Sequence, residues 1–460
     1  MKNQIEEILH EVGLLSRQTE IPVYVVGGFV RDRLLGIESQ DLDFVVEGDG
    51  PAFAEKAQDA LGGYGLAVHK RFGTASFHVK SIKIEFVTAR KESYSKDSRN
   101  PVVEQTDLET DLTRRDFTVN AMAMCIDPDS FGHIIDPFHG KKDLKKKKLR
   151  TPLDPKMTFS DDPLRMMRAA RFASQLQFEI DNKTLKAMTS ERERLAIITQ
   201  ERITDEMLKI LSHSKPSIGF QILKQTGVLK IIFPELDDLV GVEQRDQYHH
   251  KDVFEHTMKV LDNTAQVTDN INLRFAALVH DIGKPKVKRF QKGVGWTFHG
   301  HEQVGVQMLK KTCPRFKLSN EMERYSSKLT QLHMRPIHLV GEEVTDSAVR
   351  RLIVHGGEEI EDLLTLCRAD ITSGNPKRVQ KHLANFDAVA DKMRQVEEKD
   401  RLRAFQSPVR GEEIMVICGL KPGPEVGKIK AKIEEAILDG VIPNEYEAAK
   451  SYLMEMKNKL

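Results

Sequence analysis

Val25-Val26-Gly27-Gly28-Phe29-Val30-Arg31-Asp32, followed closely by Ser39-Gln40-Asp41-Leu42-Asp43-Phe44-Val45-Val46, decides how the first third of the chain folds. Val23 to Val26 is a β-branched and aromatic run after Pro22, a strand by propensity, and Phe29 to Leu35 has helical apolar spacing. Gly27-Gly28 then reads as a strand-to-helix turn whose bare backbone amides can approach phosphate oxygens at a helix N-terminus. Arg31, one turn into that helix, adds a cation for phosphate. On the second strand successive side chains alternate faces, so Asp41 and Asp43 share one face while Leu42 and Phe44 enter a core. Two hard oxygen ligands on one face suit magnesium, which usually keeps waters or substrate phosphates in its remaining positions. Taken singly, Asp-x-Asp also describes a solvated strand edge and Gly-Gly an ordinary tight turn.

Working outward, Ile82 to Thr88 alternates as a strand with Glu85 facing out, either a third carboxylate for the site or a solvated acid. Arg90 to Asp111 is polar and without periodicity, the pattern of a long functional loop. In Arg114-Arg115-Asp116-Phe117-Thr118-Val119-Asn120-Ala121, Asp116 can accept from a ribose 2′-hydroxyl and Arg114 can neutralise phosphate. In Ser160-Asp161-Asp162-Pro163-Leu164-Arg165-Met166-Met167-Arg168, Pro163 sits where a first helical turn tolerates it, with Ser160 or Asp161 able to cap. Asp162 and Arg165, three apart, share a helical face and pair an acceptor with donors, matched to the Watson-Crick edges of cytosine and adenine.

These ordered blocks resemble the class II template-independent nucleotidyltransferases, the bacterial CCA-adding enzymes and their poly(A) polymerase relatives. The resemblance implies that Asp41 and Asp43, with Glu85 beside them, carry catalysis around Mg2+, and that Gly27, Gly28 and Arg31 hold the triphosphate. It implies further that Arg114, Asp116 and Asn120 hold ribose and phosphates, while Asp162 and Arg165, with Arg168, serve nucleotide binding in a protein template. One position departs from the family's Glu-Asp-x-x-Arg element: Asp161 stands where the family has Glu, the acid that steadies the Arg. The resemblance also makes the 90–111 segment the loop that helps the site switch from adding C to adding A.

Beyond Arg150 strand signals nearly vanish and helical periodicity dominates. There His256, the pair His280-Asp281 ahead of Ile282-Gly283-Lys284-Pro285, His301, His333 and Asp370 provide imidazoles and carboxylates suited to a divalent or transition metal. Their order resembles the HD phosphohydrolase superfamily. Carried over, His256, His280, Asp281 and Asp370 are the ligands, His301 and His333 are extra ones, and the metal is Ni, Co, Mn, Zn or Fe.

The chain of 460 residues is long enough for several domains with their own cores. A net charge of +1 excludes a protein that coats nucleic acid by general charge, so RNA contact falls to local patches such as Lys141 to Arg150. Four scattered cysteines form no Cys-x-x-Cys pair, and no apolar run approaches a membrane span; Met1 to Glu20 reads as an amphipathic helix. A cytoplasmic location follows as the expectation. The fold class expected is α+β multidomain: an N-terminal nucleotidyltransferase α/β head with a small mixed sheet (1–145), an all-α neck and body (146–240), a helical HD domain (241–375) and a helical tail contacting tRNA (376–460). The partners expected are tRNA, ATP and CTP, with no membrane and no obligate protein partner. The expected activity is CCA addition to tRNA with release of pyrophosphate. A-adding, CC-adding and poly(A)-adding enzymes share the same blocks, and an HD phosphohydrolase with a nucleotide-binding head is the alternative from another class.

Overall fold

The structure, a computed structural model, describes residues 2–39, 41–95, 98–246, 249–339, 345–372, 375–400 and 407–457. It divides into two compact units, Met1–Asp238 and Leu239–Leu460. In the first, an amphipathic helix α1 (Lys2–Thr19) buries Ile5, Ile8, Leu9 and Val12. It precedes a seven-stranded mixed sheet whose spatial order is β3-β4-β5-β2-β1-β8-β9. The strands are β1 (Val23–Val26), β2 (Asp41–Val46), β3 (Tyr64–His69), β4 (Thr74–Val79), β5 (Ile82–Thr88), β8 (Ala123–Cys125) and β9 (Ile134–Ile135), with β6 (Arg90–Ser95) and β7 (Ser98–Gln105) forming a separate hairpin. β2 is central, antiparallel to β1 and parallel to β5, with Asp43 opposite Glu85. Its inner half buries Phe44, Val45 and Val46 together, because a central strand covered on both faces loses the in-out alternation of its exposed end. Phe44 stacks on Phe86 at 4.9 Å between ring centres, and Phe53 from α3 (Gly50–Leu61) closes that core.

The 90–111 segment differs from the unstructured loop expected, since most of it is the β6–β7 hairpin. The sequence of this segment shows no period-2 alternation, the signal by which a strand is read when one face is apolar; residues 96–97 lie outside the described residues. From 146 to 238 the chain is mainly helical, with Leu164–Leu176 packed on Gln200–Ser212 and Pro216–Gln225.

In the second unit the helices Val253–Val267, Ile271–Val279, Asn320–Leu332 and Ile360–Asp370 share a core that includes Val260, Leu273, Leu329, Leu363 and Leu366. Phe386, Val389, Met393 and Val396 of the helix Pro376–Asp400 join the same core. Residues 407–457 form three helices around Val409, Ile414, Ile433 and Leu453. Short strand pairs occur at 243–246 with 249–252 and at 289–291 with 295–297, exceptions to the helical pattern.

Candidate active site and candidate metal centre

The first unit contains a cleft of about 630 Å³. Gly27, Gly28, Arg31, Asp41, Asp43, Glu85, Arg114, Asp116, Asn120, Asp162, Arg165 and Arg168 all line it, so the catalytic and nucleotide-binding candidates of the sequence arrive in one place. Asp41 and Asp43 are on the same exposed face of β2 while Leu42 between them is fully buried. Asp43 reaches solvent but sits deep among neighbours, and this desolvation, with the Glu85 and Asp41 charges, raises its carboxyl above the usual range. Crowded carboxylates of this kind are a ready place for a hard divalent cation, whose charge would relieve their repulsion.

The turn at the end of β1 needs glycine. Gly27 has φ +72°, a left-handed conformation, and a Cβ there would come within 3.1 Å of the Arg115 guanidinium. Its amide bonds to the Met122 carbonyl at 3.2 Å, tying the turn to the segment after Asn120. Helix α2 (Gly28–Leu35) follows.

The arginines are held by acids and carbonyls before any ligand arrives. Arg31 is buried, paired with Asp32 at 2.8 Å and donating to Asn120 Oδ1 at 2.7 Å. The sequence presented it as a phosphate cation; its guanidinium in fact also ties α2 to the Asn120 segment. Asp116 Oδ1 accepts from the Phe117 amide at 2.8 Å and from Asn120 Nδ2 at 3.1 Å, and Oδ2 faces Arg168 at 2.6 Å. Burial disfavours its charge, but Arg168 and Asn120 outweigh that and hold its carboxyl at about 2. Arg114 and Arg115 converge on Asp111, which is fully buried, at 2.6 and 3.1 Å. Burial pushes Asp111 up, and Arg115 with Arg114 overcomes it and lowers the carboxyl. Asp111 and Arg115 were missed as site residues; a single acid three and four positions ahead of two arginines was the available signal.

The Asp162–Arg165 element differs in its caps. Ser160 and Asp161 end the helix Pro155–Asp161, and it is Asp162 whose Oδ1 accepts from the Leu164 amide at 3.1 Å, starting the next helix. Pro163 supplies no amide donor there, so the shorter reach from Asp162 decides the cap. Arg165 donates to the Arg114 carbonyl at 2.6 Å and, at 3.4 Å, to that of Thr158. Main-chain oxygens therefore help to anchor this guanidinium. Phe172 and Arg171 also line the cleft, with Arg171 4.3 Å over the Phe172 ring and paired with Glu206 at 2.8 Å. They follow Arg168 by one helical turn, a spacing visible in the sequence but carrying no motif.

In the second unit His256, His280 and Asp370 form one group of metal-ligating atoms, and Asp281, His301 and His333 form a second. Asp281 joins them, with Oδ2 3.5 Å from His256 Nε2 and 3.3 Å from His280 Nε2, and Oδ1 3.4 Å from His301 Nε2. His280, His301 and His333 each place Nδ1 against the carbonyl three residues earlier, those of Ala277, Phe298 and Thr330, at 2.7 to 2.9 Å. Donation of Nδ1–H to a carbonyl fixes the tautomer that leaves an Nε2 lone pair facing inward, the second layer typical of metal ligands. Among the described residues, His280 Nε2 and Asp281 Oδ1 are buried with no hydrogen-bond partner. Such atoms are costly unless something fills the space between them, and a transition metal fits that donor set. Without it, burial opposes charge on His280, but Asp281 and Asp370 push the imidazole up to about 10. Lys284, missed in the sequence, pairs with Asp281 at 2.7 Å from one turn on.

Three family models match the chain: the poly A polymerase head domain over residues 23–150, a probable RNA and SrmB-binding site of polymerase A over 177–240, and the HD domain over 253–394. A relative in Vibrio campbellii named multifunctional CCA protein is 35% identical over 363 residues, 76% of this chain and 84% of its own. One of the same name in Pseudoalteromonas atlantica is 34% identical over 410 residues, 85% of this chain and 95% of its own. Among solved structures, the Bacillus stearothermophilus CCA-adding enzyme in complex with CTP aligns with TM-score 0.66 at 25% identity, covering 100% of this chain and 99% of that one. The Thermotoga maritima CCA-adding enzyme complexed with tRNA aligns with TM-score 0.60 at 25% identity, over 98% and 95%. The order of head, RNA-binding and HD segments, the converged cleft and the full-length relatives agree, and the chain belongs to the CCA-adding tRNA nucleotidyltransferase family, in a form that carries an HD domain.

Proposed function

We propose that this protein adds CCA to the 3′ end of tRNA from CTP and ATP without a nucleic-acid template, releasing pyrophosphate. The observation that carries the reading is the placement of Asp41, Asp43 and Glu85 in one cleft with Gly27, Gly28, Asp116 and the Arg165–Arg168 helix face. Relatives named multifunctional CCA protein, and solved family structures with CTP, ATP and tRNA, support it.

In this reading the Gly27-Gly28 corner and α2 cradle the triphosphate, and Asp116, steadied by Arg168, orients the ribose. Asp162 and Arg165 select the base, and the carbonyls behind Arg165 keep its donors aimed. Asp41 and Asp43 are the proposed ligands for Mg2+, which when bound activates the attacking hydroxyl and neutralises charge on the leaving pyrophosphate. Residues 1–145 are the catalytic head, 146–240 the base-selecting neck and body, 241–375 the HD module and 376–460 the tail that contacts tRNA. Among the described residues no helix is long and apolar enough to cross a membrane, and the proposed place of work is the cytoplasm.

The test supplies purified protein, Mg2+ and tRNA ending before CCA with single and paired labelled nucleotides. Stepwise C, C, A incorporation is expected. No incorporation removes the assignment, and product length separates CCA addition from A-only, CC-only or poly(A) addition.

A second reading has its own support: the inward Nε2 atoms of three carbonyl-pinned histidines around Asp281 favour a metal-dependent phosphohydrolase in the second unit. His256, His280, Asp281 and Asp370, with His301 and His333, would hold a Ni, Co, Mn, Zn or Fe ion, which supplies a water of lowered pKa. Turnover of a cyclic phosphodiester in an Asp41→Ala, Asp43→Ala variant would mark it as independent of the head.

A further inference from the structure

Between the metal-ligating pair His280-Asp281 and the ligand His301 the chain leaves the helical core as a two-stranded hairpin, Arg289–Gln291 with Gly295–Thr297. Both ends are fastened to the centre. Lys284 pairs with Asp281 at 2.7 Å before the hairpin, and after it the Phe298 carbonyl faces His301 Nδ1 at 2.9 Å. The closing strand packs against Glu243–Asp246, whose partner strand His249–Asp252 leads directly into the helix that carries His256. The hairpin is therefore tied, through its own ends and through the neighbouring strand pair, to the segments that carry Asp281, His301 and His256.

Its surface is unusual in a chain of net charge +1. Residues 284–299 contain Lys284, Lys286, Lys288, Arg289 and Lys292 and no acid. Phe290 is 64% exposed, and its ring meets the edge of Trp296, the chain's single tryptophan, at 5.3 Å and 76°. Lys288 Nζ lies 4.2 Å over Trp296. A strand this short gains nothing by exposing a phenylalanine to water, and cations interleaved with aromatic rings match an unpaired nucleic-acid strand: bases stack on the rings while ammonium and guanidinium groups follow the phosphates.

We propose that this hairpin is a stacking platform for the single-stranded 3′ end of an RNA, and that it presents that end, in preference to a free mononucleotide, to the metal centre. The inference uses the metal-centre reading only for location, because binding at the hairpin is measurable whether or not the centre hydrolyses anything.

Trp296, the chain's single tryptophan, is a local reporter on the hairpin in the full-length protein. A short single-stranded oligoribonucleotide, titrated with chelator present to prevent turnover, is expected to quench its fluorescence. Phe290→Ala should weaken that binding on the order of tenfold, the scale of one lost base stack. Lys288→Gln with Arg289→Gln should flatten its salt dependence, as loss of phosphate contacts does. CCA addition by both variants should stay at the wild-type rate, which also reports that they fold. The proposal is overturned if the oligonucleotide leaves Trp296 unchanged, or if a mononucleotide, duplex RNA or vesicles of anionic phospholipid quench it as well at equal phosphate. Quenching that Phe290→Ala leaves intact overturns it too.

Discussion

The two sites solve opposite problems with similar residues. In the head cleft the acids of β2 stay exposed and mutually repelling, while Arg31, Arg114, Arg115 and Arg168 are already paired with Asp32, Asp111 and Asp116. In the second unit His256, His280, Asp281, His301 and His333 are buried, and among the described residues His280 Nε2 and Asp281 Oδ1 are among the buried atoms with no hydrogen-bond partner. A nucleotide site must admit and release a large charged ligand at each step, so its frame is finished in advance and only the metal-facing acids are left open. A resident metal leaves rarely, so the protein can bury its ligands and hold their tautomers from behind.

The comparison breaks most sharply at Asp41 and Asp43. Replacing both with Ala should lower nucleotide incorporation by about a thousandfold or more, the scale of several kcal/mol of lost charge stabilisation, while metal content of the second unit is unchanged. Loss of both activities together would merge the two sites and end the contrast. Next in size, His280→Ala should weaken retention of a transition metal by more than about a hundredfold, measured as metal content after dialysis, with CCA addition untouched.

A smaller effect sharpens the claim that the head's frame is prepaired. Asp116 has a folded pKa of about 2 against 3.8 for the free group. A depressed carboxyl contributes stability that is complete above the unfolded value and is lost as pH falls through the folded one. The head should therefore lose about 2 kcal/mol between pH 5 and pH 2 from this group, and Asp116→Asn should remove that portion of the slope in denaturant unfolding. The smallest expected effect is at the turn: Gly27→Ala should cost about 1 kcal/mol from the left-handed backbone, read as a lowered melting temperature of the head.

Much of the head site was legible because its chemistry repeats at short range. Asp41 and Asp43 are two apart on a strand and Gly27 and Gly28 sit at a strand-to-helix corner, relations that follow from local backbone geometry; the shared helix face expected for Asp162 and Arg165 does not form, because Asp162 is extended and caps the helix Leu164–Leu176 from outside while Arg165 lies in its first turn. The β6–β7 hairpin escaped because its sequence carries no period-2 alternation, and the cap at Asp162 escaped because three neighbouring residues were all competent to make it. Arg171 carried no pattern that distinguished it from a solvated cation, and Arg115 and Lys284 carried only their spacing of four and three from Asp111 and Asp281.

The amino-acid order by itself determined which groups are available and which of them share a local face, since those relations are set by residues at most a few positions apart. Only the tertiary structure decided the partners. Asp116 meets Arg168 across 52 residues, Arg165 finds the carbonyl of Arg114, and His256 lies 2.8 Å from Asp370. Such pairings depend on how helices and strands pack their apolar faces, and that packing is settled by the burial of Phe44, Phe86, Leu273 and Leu363. The charged residues do not drive it; they are brought together by it, and their electrostatics then follow from where the cores have placed them.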